Sequence, residues 1–378
     1  MKHNIKGFEE PVYITRPLLP NLDQVNKKIK KIWTSKWLTN NGKQHQCLEN
    51  RLQDFLKVTN LSLFNNGTIA LLIACRALEL SGEVITTPFS FPATTHVLEW
   101  NNITPVFCDV DEQTMNINVD KIEDLITEKT TAILPVHVFG VPCDVERIQK
   151  IADDYNLKVI YDAAHAFGVE INNQGIGEFG DASMMSFHAT KMYHTLEGGS
   201  LSCSDPELKE KFDLMKNFGI KNEEQIVMPG INGKMNEIQA AIGLIVLEHL
   251  EDERNKRKLL INTYKKCLRG VKGVYFTEEI KGVKSNYQYF VIRIDEKEFG
   301  RSRDYVYEKF KEFNVFTRKY FHPLISNYSF YSQLSSAKKS KLPVANNIVK
   351  KVLSMPLYGE LNVDDINKIC DILKSFKR

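Results

Sequence analysis

From about residue 60 to 205, short runs rich in Val, Ile, Phe and Thr alternate with longer amphipathic stretches. The runs are Leu61–Asn65, Glu83–Thr87, Thr104–Asp109, Thr131–His137, Lys158–Asp162, Ala182–His188 and Ser200–Ser204. They are mostly continuous rather than alternating in apolar character, the pattern of strands buried on both faces. Between them, Thr68–Leu80 and Asp144–Tyr155 read as helices. This alternation predicts an α/β domain with a mostly parallel sheet. In such sheets ligands bind beyond the carboxyl ends of the strands, where loops feed helix N-termini.

Further on, the spacing predicts one long helix from Asn236 to about Arg269, apolar early (Ile238, Ala241, Ile242, Leu244, Ile245, Leu247) and highly charged later. A helix that changes character in this way is expected to leave the sheet domain and enter a second one. The lysine-rich remainder carries a strand-like run, Tyr287–Ile294, and a closing helix, Val363–Phe376. Residues 1–250 are therefore expected to form a large domain with an amino-terminal arm, and 251–378 a smaller one.

Composition narrows the class. A chain of 378 residues, 43% hydrophobic and 26% charged, is that of a soluble globular protein of two domains. It has no run of about 18 apolar residues, and Met1 to Glu10 lacks the apolar core of a signal peptide. The expected location is the cytoplasm. Seven scattered cysteines, with no Cys-x-x-Cys pair, suggest neither a disulfide framework nor a zinc site. The nine histidines show no metal-ligand spacing. A net charge of +3 is slight, and its one cluster (Lys338, Lys339, Lys341) has no interleaved aromatics, so it reads as a solvated face rather than a nucleic-acid patch.

Three segments carry candidate chemistry. Ser-Phe-His-Ala-Thr-Lys, residues 186–191, follows a buried strand and precedes Leu-Glu-Gly-Gly, 196–199. Desolvation at a strand's carboxyl end would lower the Lys191 amine's pKa and make it a usable nucleophile; taken alone, the segment also reads as an ordinary exposed loop lysine. Tyr-Asp-Ala-Ala-His, 161–165, ends the preceding core strand, so Asp162 either caps a turn or faces the same pocket. Asn-Asn-Gly-Thr, 65–68, joins a strand to a helix, where free N–H groups and the helix dipole can hold a phosphate. Gly175-Ile-Gly-Glu-Phe-Gly180 matches a dinucleotide fingerprint letter for letter, but it follows a polar stretch and leads into a strand, so it reads as structural.

Together, Asn-Gly-Thr, Asp-Ala-Ala-His and Ser-Phe-His-Ala-Thr-Lys…Glu-Gly-Gly resemble the sugar aminotransferases of the DegT/DnrJ/EryC1/StrS family, over nearly the whole chain. The resemblance implies the aspartate aminotransferase fold (pyridoxal phosphate fold type I), with a smaller carboxyl-terminal α+β domain. It also implies pyridoxal 5′-phosphate as cofactor, with pyridoxamine 5′-phosphate forming during turnover, and a homodimer with shared active sites. By that resemblance Lys191 holds the cofactor and moves protons, and Asp162 pairs with the pyridine nitrogen. His165 stands near the phenolic oxygen, Gly67, Thr68 and Ser186 hold the phosphate, and Phe91 stacks on the ring. Asn232, and less securely Lys234, match residues that reach the partner's site. His188, Tyr320 and His322 are candidates for the sugar site, with Tyr320 and His322 equally readable as loop packing. Lysine rather than histidine at 191 is unlike the family's dehydratases. The implied reaction passes the amino group of L-glutamate to a nucleotide-linked 4-keto-6-deoxyhexose, with greatest similarity to members forming dTDP-4-amino-4,6-dideoxyglucose. Aminotransfer at carbon 3, or a dehydratase or lyase reaction, are the alternatives.

Overall fold

The computed structural model describes residues 5–378; Met1–Asn4, the start of the polar amino-terminal stretch, lie outside the described residues. Seven strands form the central sheet: β1 (Asn60–Phe64), β2 (Glu83–Thr86), β3 (Thr104–Phe107), β4 (Thr130–Leu134), β5 (Lys158–Asp162), β6 (Ala182–Ser186) and β7 (Gly199–Cys203). Their order is β1-β7-β6-β5-β4-β2-β3. β7 runs antiparallel to both its neighbours, while β2, β3, β4, β5 and β6 pair in parallel. The carboxyl ends of β1 to β6 therefore share one edge of the sheet, and β7 starts from that edge.

Successive residues on these strands face opposite sides, and both sides are covered. Val84, Leu134, Ile160 and Met184 pack beneath helix α3 (Gly67–Ala77), whereas Ile85, Ile133 and Val159 pack against helix α5 (Val145–Tyr155). Burial on both faces explains why the strand segments are continuously apolar. On the same chain, helices α2 (Lys43–Leu56) and α7 (Glu237–Glu248) close over β1 and β6 through Leu48, Leu52, Leu61, Leu63, Met185 and Leu244. Residues after 250 build a three-stranded antiparallel sheet, Val274–Phe276, Phe290–Ile294 and Val352–Met355. It has its own core with the helix Val363–Ser375, which includes Ile292, Val306, Phe310, Ile369 and Leu373.

The single helix expected over 236–269 is two. Helix α7 ends at His249, whose φ of −104° and ψ of 0° leave the helical region, and α8 (Leu250–Leu268) begins at once. The physical reason lies in the change of composition. α7 is buried on nearly all sides, while α8 buries one face only, so a bend at His249 lets each segment reach its own core. The strand expected over Tyr287–Ile294 begins later, at Phe290, because Tyr287 takes a positive φ of 56°. Among the described residues no helix is long and apolar enough to cross a membrane, and no group of three or more metal-ligating side chains occurs.

In the Gly-x-Gly-x-x-Gly segment, Gly175 ends a short hairpin of Glu170–Ile171 with Gln174–Gly175, and a 3₁₀ turn, Ile176–Glu178, leads on towards β6 with no α-helix after it. A Cβ at Gly175 would lie 1.9 Å from the Leu56 carbonyl oxygen. Gly175→Ala is thus expected to lower the unfolding free energy by about 1–3 kcal/mol through overpacking. Chemical denaturation checks this, and an unchanged midpoint would contradict it.

Candidate active site

The shared edge of the sheet gathers the candidate residues around one cavity of about 290 Å³. Its lining includes Gly67 and Thr68 after β1, Ser90 and Phe91 after β2, Asp162 and His165 from β5, and Ser186, His188 and Lys191 from β6. Glu197, Tyr289, Tyr320 and Phe321 complete it.

At one corner α3 begins. The Asn66 side chain caps the helix by accepting from the Ile69 N–H at 2.8 Å, which leaves the Gly67 and Thr68 N–H groups without a partner inside the helix. Glycine is required here for close approach. A Cβ at Gly199 would come within 2.6 Å of the Gly67 nitrogen, and one at Gly67 within 2.9 Å of the Met184 sulfur. The corner offers unpaired N–H groups, the Thr68 and Ser186 hydroxyls and the positive end of a helix, which together suit a phosphate.

Asp162 ends β5 and is buried. The Thr94 hydroxyl donates to its Oδ2 at 2.7 Å and the Ala164 N–H to its Oδ1 at 3.1 Å, while Ser90 Oγ lies 2.7 Å from Thr94 Oγ1. Desolvation pushes the Asp162 carboxyl above the ordinary carboxylate range, with Thr94, Ala164 and Lys191 pulling the other way. A carboxylate so placed gains most from a cationic N–H donor.

Lys191 sits in the loop after β6, which is pinned by buried Met192 and Tyr193; Tyr193 stacks on Phe167 with ring centroids 4.3 Å apart. Desolvation lowers the Lys191 amine from 10.5 to about 8, against the attraction of Asp162. His165 is buried beside Phe139 and Phe321, its ring nearly parallel to both, with centroids at 6.2 and 5.7 Å. The Phe139 N–H donates to His165 Nδ1 at 3.2 Å, and burial holds the ring well below its usual pKa. The imidazole is therefore neutral, with its proton on Nε2. Tyr289 meets its edge at 4.8 Å.

His188 borders the cavity with its Nε2 3.5 Å from Glu197 Oε1, both side chains being largely exposed. Phe91 lines the cavity and is 61% exposed in the single chain. Asn232, Lys234 and His322 are not brought to this cavity. The Asn232 carbonyl accepts from Asn65 Nδ2 at 3.4 Å, the Lys234 ammonium lies over the Phe218 ring at 4.9 Å, and His322 is exposed. Sequence reasoning missed Thr94, Ser90 and Tyr289. Thr94 lies three residues after Phe91, and nothing in the sequence marks its hydroxyl until folding brings it to Asp162.

A profile of the DegT/DnrJ/EryC1/StrS aminotransferase family matches residues 22–374. The chain is 48% identical over 368 residues to a dTDP-4-amino-4,6-dideoxy-D-glucose transaminase of Escherichia coli, covering 97% of this chain and 98% of that one. It is 44% identical over 370 residues to the Shigella dysenteriae protein of the same description, covering 98% and 100%. Among solved structures, DesI in the presence of its TDP-sugar product superposes with a TM-score of 0.93 at 32% identity, covering 98% of this chain and 93% of that one.

One consequence of the Lys191 shift is measurable in the cofactor-free protein. The unfolded chain binds more protons than the folded one between pH 8 and 10.5, so this lysine contributes stability that is absent below about pH 8 and grows towards pH 10.5. A full shift would be worth roughly 3 kcal/mol, and partial opening to solvent reduces the expected size to about 1–2 kcal/mol. Lys191→Met should flatten the unfolding free energy across that window and be the more stable protein at pH 7.5. Parallel pH profiles for the two proteins would contradict the assignment.

Proposed function

Because the chain belongs to the DegT/DnrJ/EryC1/StrS aminotransferase family, we propose that it is a pyridoxal phosphate-dependent enzyme that passes the amino group of L-glutamate to dTDP-4-keto-6-deoxyglucose. The product is the corresponding 4-amino-4,6-dideoxy sugar. The observation that carries this reading is the convergence of a desolvated lysine and a buried carboxylate, from adjacent parallel strands, on one cavity with a phosphate-sized corner. The sugar and nucleotide follow from the two relatives matched over nearly their full lengths.

The residues present fit the cofactor. Gly67, Thr68 and Ser186 would hold its phosphate, Phe91 would cover one face of its ring, and Lys191 would attach it. The ring supplies, when bound, an electron sink for negative charge at the carbon bearing the transferred amine. Asp162, oriented by the Thr94 hydroxyl at Oδ2 and the Ala164 N–H at Oδ1, would hold a proton on the ring nitrogen. Lys191 Nζ, its pKa lowered to about 8 by desolvation, would take a proton from the α-carbon of glutamate and deliver one to carbon 4 of the sugar. His165, neutral and with its proton on Nε2, would offer the cofactor a hydrogen-bond donor that adds no charge. Tyr320 borders the sugar end of the cavity, with His188 beside it. Asn232 and Lys234, away from their own cavity, are read as reaching the site of a second copy. That reading makes the working enzyme a homodimer; we further propose that it is cytoplasmic and that each chain divides into two domains near residue 250.

Purified protein incubated with pyridoxal phosphate, glutamate and a panel of dTDP-, UDP- and GDP-linked 4-keto sugars tests the proposal by mass spectrometry. The dTDP substrate should be converted, with 2-oxoglutarate formed in equal amount. Lys191→Ala should lose roughly 10⁴-fold or more in rate. Turnover without 2-oxoglutarate, or undiminished turnover in Lys191→Ala, would overturn it.

A further inference from the structure

Two site segments leave different strands of the sheet: residues 163–167 after β5 and residues 187–192 after β6. They touch through apolar rings, Phe167 against Phe187 and Tyr193, a contact that fixes no hydrogen-bond register. Their backbones are tied by hydrogen bonds to one short stretch, Asn286 to Gln288, that comes from beyond residue 250. The Asn286 amide nitrogen donates to the His165 carbonyl at 2.9 Å and to the Phe167 carbonyl at 3.1 Å. Two residues on, Gln288 Oε1 accepts from the Met192 N–H at 3.0 Å, directly after Lys191. The Asn286 side chain is fixed in turn by the Gln288 backbone N–H, which donates to its Oδ1 at 3.0 Å. Both residues are almost wholly buried, at 1% and 4% exposure.

The stretch is itself braced. Arg254 donates twice to the Ser285 carbonyl, at 3.0 and 2.6 Å. Arg257, buried in an ion pair with Glu253 at 2.6 Å, reaches the carbonyls of Gln288 at 3.4 Å and Leu357 at 3.2 Å. Glu253 also accepts from the Gly359 N–H at 2.9 Å. Buried polar groups with all partners in place specify one geometry, because any shift leaves a desolvated group unpaired. Gly140 adds a steric limit: a Cβ there would fall 3.0 Å from Asn286 Oδ1 and 2.8 Å from the His165 carbonyl oxygen.

We infer that Asn286 and Gln288 are positioning residues: they set the separation between the Lys191 loop and the Asp162–His165 segment by cross-linking the two backbones from outside the sheet. The inference rests on the proposed pyridoxal phosphate reading for its functional meaning. Neither residue lines the cavity, so neither touches a reactant. A register error of about 1 Å at a reacting group can cost about 10²-fold in rate. The groups facing the Lys191 amine, Asp162, His165 and Tyr320, all belong to segments other than its own loop, so moving that loop changes its electrostatic surroundings.

The test uses the full-length holoenzyme and the pH dependence of its visible absorbance, a readout besides turnover. Gln288→Met keeps the length of the side chain and removes the amide acceptor; Gln288→Glu keeps an acceptor oxygen. Gln288→Met is expected to lower kcat by about 10- to 100-fold with KM for glutamate changed less than about three-fold, and to move the spectral midpoint by roughly half a pH unit or more. Gln288→Glu should recover a large part of both. If Gln288→Met fails to fold, Gln288→Asn, which withdraws the acceptor by one methylene, should fold and show the same shift. A folded Gln288→Met or Gln288→Asn with wild-type midpoint and kcat overturns the inference. Failure of the wild-type protein to develop a visible band with pyridoxal phosphate sinks the cofactor reading instead, so the two failures are distinct.

Discussion

The arrangement depends on one electrostatic constraint: a carboxylate and an amine are both withdrawn from water at the same edge of the sheet. Water removal alone raises Asp162 and lowers Lys191, towards a pair in which neither group is charged. Their mutual attraction and the Thr94 and Ala164 hydrogen bonds oppose that drift without cancelling it. The cavity between them thus costs stability in the free protein and is relieved by a ligand that brings a cationic N–H to one side and an electrophilic carbon to the other. Binding and reactivity have the same origin.

The fold creates this constraint by topology. Because β7 alone runs against the others, six strand ends and the entry to β7 meet at one edge. Glycine at 199 lets β7 approach the first turn of α3 closely enough to leave the Gly67 and Thr68 N–H groups facing the cavity. The region after residue 250 then does more than cover the opening. Its Tyr289, Tyr320 and Phe321 form one wall, and its Asn286 and Gln288 hold the loops that carry His165 and Lys191.

The strands of the sheet were legible in the sequence to within a few residues, because burial on both faces leaves an unbroken apolar run that few other structures produce. Asp162 and Lys191 were legible for a related reason: each stands where such a run ends. The bend at His249 was not, since helix α7 and helix α8 each satisfy helical periodicity, and the change of composition between them suits a continuous helix leaving the sheet as well as it suits a bend. Thr94 and Gln288 were invisible on different grounds. Their partners lie 68 and 96 residues away in the chain, and a hydroxyl or amide signals nothing until folding supplies its partner.

The central claim is that Lys191, among the chain's many lysines, has the amine made reactive by desolvation beside Asp162. Borohydride treatment of the protein after brief exposure to stoichiometric pyridoxal phosphate, followed by peptide mapping, tests it most directly. The account predicts a single pyridoxyl modification, on the peptide containing Lys191. Label scattered over surface lysines, with Lys191 unmodified, would contradict it.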